Sequence, residues 1–342
     1  MSFEYLRELP TVNVIKQEIA ITSDAASVKA IRDKEIADVL CGRSKKFIVI
    51  VGPCSADNED AVMEYNTRLK AIQDKTAEKL LIIPRIYTNK PRTTGAGYKG
   101  MAHQPDPAED PNIVEGLKAI RSLHIRSLKE TGLSAADEML YPTNYPYLDD
   151  ILSYVAVGAR SVENQHHRLT ISGLDIASGM KNPTSGDITV MLNSVQAAQM
   201  SHTFVYNGWE VKTSGNTLAH AILRGAVNAY GRCIPNYHYE DLMRLIDMYQ
   251  ERGLENPAII VDTNHSNSDK KYREQPRIAK DILGNMSRSG PIRKMVKGLM
   301  IESYIVEGAQ KISDGVYGKS ITDPCLGWED TEKLLLDIAD SL

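Results

Sequence analysis

Cys54 follows directly on the run Ile48-Val49-Ile50-Val51-Gly52-Pro53. Seven other reactive side chains stand in the same relation to later apolar runs: Arg85, Glu138, Arg160, Lys181, Arg224, His265 and Glu302. A lone cysteine is ordinarily an inert buried thiol, so Cys54 matters only for the company it keeps. Two kinds of chemistry are written into these types. Arg85, Lys90, Arg160, Lys181 and Arg224 would repel one another strongly unless an anion lay between them, and guanidinium groups favour phosphate or carboxylate. Cys54, His265, Glu302 and Asp323 offer sulfur, nitrogen and oxygen. That mixed set suits a borderline divalent ion such as Mn²⁺, Fe²⁺, Co²⁺ or Zn²⁺ better than Mg²⁺. Between the two groups runs Lys90-Pro91-Arg92-Thr93-Thr94 and a glycine-rich continuation to Gly100. We read this stretch as an anion-binding loop, with Lys90 and Arg92 giving charge and Thr93 and Thr94 hydroxyls; a solvated turn is the bland alternative.

Positioning such a set requires many strands ending at one face. Apolar runs predict strands at 48–51, 80–87, 135–139, 154–158, 175–180, 203–206 resuming at 220–223, 258–261 and 296–301. Helical spacing with capping residues predicts helices at about 23–37, 57–74, 112–131, 148–153, 184–200, 239–252, 271–286 and 328–341. Strands alternating with helices in this number predict an α/β chain folded as a (β/α)8 TIM barrel, whose βα connections bring all strand ends to one mouth. Residues 1–45 form an N-terminal arm, a lid or an oligomer contact, and 46–342 a single barrel. Asn207-Gly208 predicts a β-hairpin inserted at strand six.

The 342 residues carry 40 Lys and Arg against 44 Asp and Glu, a formal charge of −4. That balance argues against nucleic acid as a partner. No run approaches the ~18 apolar residues of a membrane span. Four cysteines without an apolar leader fit a cytoplasmic protein with reduced thiols. Two motifs are decoys. Gly95, Gly97 and Gly100 spell a dinucleotide fingerprint, but Pro105 and Pro107 follow where a helix would have to start. Gly318-Lys319-Ser320 ends like a phosphate loop, but position 313 is Ser. Neighbours on a helix point apart, so at most one of His166 and His167 could serve a site.

Gly52-Pro53-Cys54-Ser55, Lys90-Pro91-Arg92-Thr93-Thr94, Gly158-Ala159-Arg160, Met180-Lys181-Asn182, Leu223-Arg224-Gly225, Ile301-Glu302-Ser303 and Gly318-Lys319-Ser320-Ile321-Thr322-Asp323 occur in this order along the chain. Together they resemble the 3-deoxy-D-arabino-heptulosonate 7-phosphate (DAHP) synthases of the type I alpha class. The resemblance runs from about residue 25 to the end. It implies a transferase that condenses phosphoenolpyruvate with D-erythrose 4-phosphate to DAHP and phosphate, the first step of the shikimate pathway, with a divalent metal ion. It implies that Cys54, His265, Glu302 and Asp323 hold the metal. Arg85, Lys90, Arg160, Lys181 and Arg224 would grip phosphoenolpyruvate, and Arg92 with Thr93 the aldose phosphate. Catalytic roles fall to Cys54, Lys90, Lys181, His265 and Glu138. The hairpin and arm imply an aromatic amino acid effector, and the assembly expected is a homodimer or homotetramer. Two rivals stay on the table: a Schiff-base aldolase with Lys181 as nucleophile, and a non-catalytic sugar-phosphate sensor.

Overall fold

In the computed structural model, which describes residues 2–342, the barrel strands are β1 (Phe47–Gly52), β2 (Leu80–Pro84), β3 (Ala136–Glu138), β4 (Tyr154–Val157), β5 (Ala177–Lys181), β6 (Ala219–Leu223), β7 (Ile259–Asp262) and β8 (Val296–Glu302). They form one eight-stranded sheet in the order β2-β1-β8-β7-β6-β5-β4-β3, parallel throughout. The seam between β2 and β3 is closed by a single parallel bridge, Arg85 to Ala136. There the Ile86 N–H donates to the Ala136 carbonyl at 2.9 Å. The side chain of Asp137 reinforces this thin seam, accepting from the Thr88 N–H at 2.9 Å and from the Thr88 hydroxyl.

The all-apolar strands are explained by two separate cores. Successive side chains on a strand point to opposite faces, so Ile48 and Ile50 fill the barrel with Leu81, Ile83, Ile222 and Ile260. Val49 and Val51 instead pack outward against the helical shell. That shell is α3 (Glu59–Thr76), α4 (Ile113–Thr131), α5 (Gln165–Ile171), α6 (Ile188–Gln199), α7 (Tyr239–Arg252), α8 (Gln275–Arg288), α9 (Gly290–Met295) and α10 (Trp328–Ser341), preceded in the chain by α1 (Val12–Glu18) and α2 (Ser23–Leu40). Asn58 caps α3, accepting from the Ala61 N–H at 2.9 Å. Among the described residues no helix is long and apolar enough to cross a membrane.

Three local expectations need correction. Residues 148–153 are not a helix; the β3–β4 connection is a 3-10 turn, Pro142–Tyr147, where Pro142 and Pro146 withhold the N–H groups a full helix needs. Thr203–Tyr206 does not begin barrel strand six. It pairs only with Trp209–Lys212 in an antiparallel ribbon, turned by Asn207 and Gly208 in left-handed conformations, and β6 starts afresh at Ala219. The ribbon therefore precedes β6, at the end of the barrel away from the strand ends that carry the chemistry. The arm is no lid either. Ile36, Val39 and Leu40 of α2 join Ile48, Leu81, Ala177 and Ala258 in the inner core, so α2 plugs the end where the strands begin.

Candidate active site

At the other end of the barrel, Gly52 and Pro53 terminate β1 and place Cys54 over the mouth. Cys54, Glu302 and Asp323 each offer a ligand atom, and these atoms all lie within 4.8 Å of one another. Glu302 is fixed by β8 and by Gln275, whose amide accepts from the Glu302 N–H at 2.9 Å and donates to its carbonyl at 2.8 Å. Asp323 sits in the last loop, where the Ser320 hydroxyl donates to its carbonyl at 2.8 Å. His265 stands at the edge of the group, its Nε2 3.7 Å from Glu302 Oε1. Its backbone is left-handed, φ 43°, a conformation that costs a non-glycine residue ~1–3 kcal/mol and is retained where a site demands it. Its Nδ1 lies 2.8 Å from Asp262 Oδ2. The donors fit a borderline divalent ion: a buried thiol, two carboxylates, an adjacent imidazole, and a Glu302 Oε1 that is buried without a hydrogen bond.

Burial foremost, with Glu302 and Asp323 adding to it, pushes the Cys54 thiol up to about 11. A cation must therefore displace its proton to bind sulfur. Burial also acts to raise Asp323, but Lys90 overcomes it and holds that carboxyl well below the usual range. Asp262 is likewise held low against its burial by His265 and Lys181.

The cations share one cavity of about 390 Å³ with Asp323 and His265, and Cys54 and Glu302 lie buried against its Lys90 and Arg85. Arg85 is 2% exposed; its guanidinium lies over the Tyr87 ring at 4.0 Å and 2.7 Å from Glu302 Oε1, off the line of a hydrogen bond. Its Nε and Nη1, and Nη1 of Arg224, are buried with no partner. Such orphaned N–H groups cost free energy unless an acceptor arrives, and the charge of this cavity suits an anion in that role. Lys181 Nζ is 3.1 Å from Asp262 Oδ2. Lys90 Nζ is 2.6 Å from Cys54 Sγ and 3.0 Å from Asp323 Oδ2. Arg160, Arg92, Thr93 and Glu138 line the same space. Gly158 makes room for Glu138, since a Cβ there would lie 2.2 Å from Glu138 Oε1.

All the residues expected at the mouth are thus found around it. The glycines of the 95–100 loop serve left-handed turns, with no helix before Ile113, so the dinucleotide reading stays rejected. His167 is spent on the Leu140 carbonyl at 3.0 Å. Sequence reasoning passed over Asp262, which joins Lys181 to His265, and Asn264, whose amide donates to Glu302 Oε2 at 2.6 Å. The Asp262-Thr263-Asn264-His265 spacing was the available signal for both.

Behind Cys54, Asp57 accepts from the Tyr304 hydroxyl at 3.1 Å, and burial raises its carboxyl to about 6. A raised folded value means stability is lost as pH climbs from the unfolded ~3.9 through about 6. Asp57→Asn keeps the acceptor and removes the charge. It should therefore raise the melting temperature at pH 8, by an amount equivalent to ~1–2 kcal/mol for a partly exposed group, and leave it unchanged near pH 4. Thermal melts at the two pH values check this.

The profile of the DAHP synthetase I family matches residues 18–336. The chain belongs to the DAHP synthetase I family. It is 36% identical to the phospho-2-dehydro-3-deoxyheptonate aldolase of Haemophilus influenzae, over 98% of this chain and 91% of that one. It is also 36% identical to the Phe-sensitive enzyme of that name from Escherichia coli K12, over 98% and 95%; other relatives are designated Trp-sensitive and Tyr-sensitive. The solved structure of the Francisella tularensis SCHU S4 aldolase superposes with a TM-score of 0.91 at 33% identity, covering 99% of this chain and 98% of that one. The resemblance read from the dispersed motifs therefore stands, and with it the (β/α)8 fold and the class of enzyme: a DAHP synthase, a transferase joining phosphoenolpyruvate to erythrose 4-phosphate at the entry to the shikimate pathway.

Proposed function

We propose that this DAHP synthase works through a divalent ion held by Cys54, His265, Glu302 and Asp323, with phosphoenolpyruvate caged by Arg85, Lys90, Arg160, Lys181 and Arg224. The observation that carries the reading is the convergence of a thiol and two carboxylates beside buried guanidinium N–H groups that have no partner, with Asp323, His265 and the cations lining one cavity. An ion of this kind, when bound, supplies Lewis acidity toward the sugar aldehyde. The chain's own residues do the rest. The cage fixes phosphoenolpyruvate so that C3 faces the aldehyde carbon, which converts a bimolecular encounter into a local step. Arg92 and Thr93 hold the phosphate of the aldose. A C3–C1 bond forms, water adds its oxygen at C2, and the C2–O bond breaks to release phosphate. Glu138, which lines the same cavity, would take and return the protons, while His265 is committed to the ion on one ring nitrogen and to Asp262 on the other.

Phosphate release should require both substrates together, stop on addition of a chelator and return with Mn²⁺. Release that ignores the chelator would rule the reading out. The Schiff-base alternative is disfavoured because the Lys181 amine is tied to the buried Asp262 carboxylate at 3.1 Å, which turns it away from nucleophilic attack.

A second cavity, about 740 Å³, lies between α2, the turn at Pro142–Tyr147 and the ribbon. Leu174, Ile176 and Phe204 give it apolar walls, while Lys29, Asp33 and Asp175 supply both charges. We assign it to an aromatic amino acid effector, which has a ring, an ammonium and a carboxylate. Titrating turnover with phenylalanine, tyrosine and tryptophan should show inhibition of roughly tenfold or more by one of them, and Phe204→Ala should abolish it; indifference to all three removes the assignment. Exposed Phe3, Tyr5, Leu6 and Leu9 offer an apolar strip for a second copy in a homodimer or homotetramer.

A further inference from the structure

We infer that Lys90 is a movable counter-cation that competes with the divalent ion for Cys54 and Asp323, and that is handed over to the substrate anion when the ion binds. The inference rests on the metal reading above and adds a coupling device to it. Cys54 Sγ and Asp323 Oδ2 are 3.4 Å apart, and Lys90 Nζ contacts both, at 2.6 and 3.0 Å. An ion bonded to the same sulfur and oxygen at ~2.0–2.3 Å would crowd and repel an ammonium in that place. One cation must yield.

Among the described residues no neighbouring cation is placed to play this part. The Arg85 guanidinium is pinned between Tyr87 and Glu302. Lys270 reaches only the other oxygen of Asp323, at 3.8 Å, and is largely exposed. Lys90 is also the one with somewhere to go. Its backbone N–H is anchored to the Lys99 carbonyl at 2.9 Å, so the loop can stay while the four-carbon stem turns. The stem borders the same cavity as Arg85, Arg160, Lys181 and Arg224. A turn of the stem therefore transfers one positive charge from the metal donors to the anion cage without leaving the pocket. Ion binding should then strengthen anion binding, and by linkage the anion should strengthen ion binding by the same factor.

The test is calorimetric titration of the chelator-stripped full chain with Mn²⁺, without sugar phosphate, for the unaltered protein, Lys90→Met, Lys90→Gln and Lys270→Gln. Both Lys90 variants should bind Mn²⁺ roughly tenfold tighter or better, because the resident competitor is gone. Lys270→Gln removes an equal charge from the vicinity and should shift the affinity less than roughly threefold. Phosphoenolpyruvate binding should gain about fivefold or more from Mn²⁺ in the unaltered chain and less than about twofold in Lys90→Met. Melting curves with saturating Mn²⁺ report that each variant is folded. Mn²⁺ affinity that is unchanged or weaker in the Lys90 variants, or equally tightened in Lys270→Gln, overturns the inference and leaves the metal site standing. Failure of the unaltered chain to bind Mn²⁺ overturns both.

Discussion

Cys54→Ala is expected to lower turnover at saturating Mn²⁺ by roughly 10²–10³-fold, with folding intact. The thiol is buried at the end of β1 and is the soft member of a group completed by Glu302 and Asp323. Alanine fits its space without a polar group to satisfy. What would be lost under the proposed metal reading is the sulfur ligand, and with it the strongest attraction for a borderline ion. Mn²⁺ titration should show the binding isotherm weakened in parallel with activity. Cys54→Ser, which substitutes a harder and shorter donor, should fall between the two and shift the preference toward oxygen-seeking ions. Phosphate release undiminished in Cys54→Ala with excess metal would remove Cys54 from the essential ligands, whatever its distance from Asp323.

Much of this site could be read from the chain because the barrel couples order in sequence to place in space. Each βα unit returns its strand end to the same mouth, so counting the strands is enough to bring Cys54, Arg85, Glu138, Arg160, Lys181, Arg224, His265 and Glu302 to one end of the barrel. The parts that escaped depend on contacts no period records. Asp262 looks like the last residue of an apolar strand; only its distances to Lys181 and His265 show what it does. The role of α2 turns on which end of the cylinder its apolar residues enter, and a helix with Ile36, Val39 and Leu40 on one side suits a lid or an oligomer contact as well as the inner-core packing observed. Thr203–Tyr206 reads as the start of strand six because β-branched and aromatic residues announce a strand but not its partner. The 3-10 turn at Pro142–Tyr147 was displaced by a few residues because Leu148, Ile151 and Leu152, buried as single turns, imitate helical spacing.

Arg85→Ala should be the most damaging of the cage substitutions, and it should act through two separable quantities. The first is affinity. Two N–H groups of Arg85 are buried without a partner, so Arg85→Ala takes donors away from the substrate anion, and the KM for phosphoenolpyruvate should rise by roughly 10²-fold. The second is stability. Glu302 is 1% exposed beside Arg85, and stripping a buried carboxylate of its main counter-charge costs ~3–5 kcal/mol. The sign of the pH dependence follows. Burial works to raise the Glu302 carboxyl, but Arg85, then His265 and Lys90, pull it below its ordinary value. In the unaltered chain this group therefore stabilises the fold above the unfolded value near ~4.3 and loses that contribution as pH falls through the lowered one. Without Arg85 the opposition to burial is weakened and the carboxyl rises, so the variant loses stability as pH increases. Urea denaturation should accordingly show a deficit that is large at pH 7.5 and shrinks toward pH 4.5. Adding Glu302→Gln to Arg85→Ala should restore part of the stability at pH 7.5 while leaving the double variant inactive, because the unpaired charge is gone along with the ligand. A deficit equal at both pH values, or one that Glu302→Gln does not relieve, would mean that Arg85 supports the fold through its packing on Tyr87 and not through its charge.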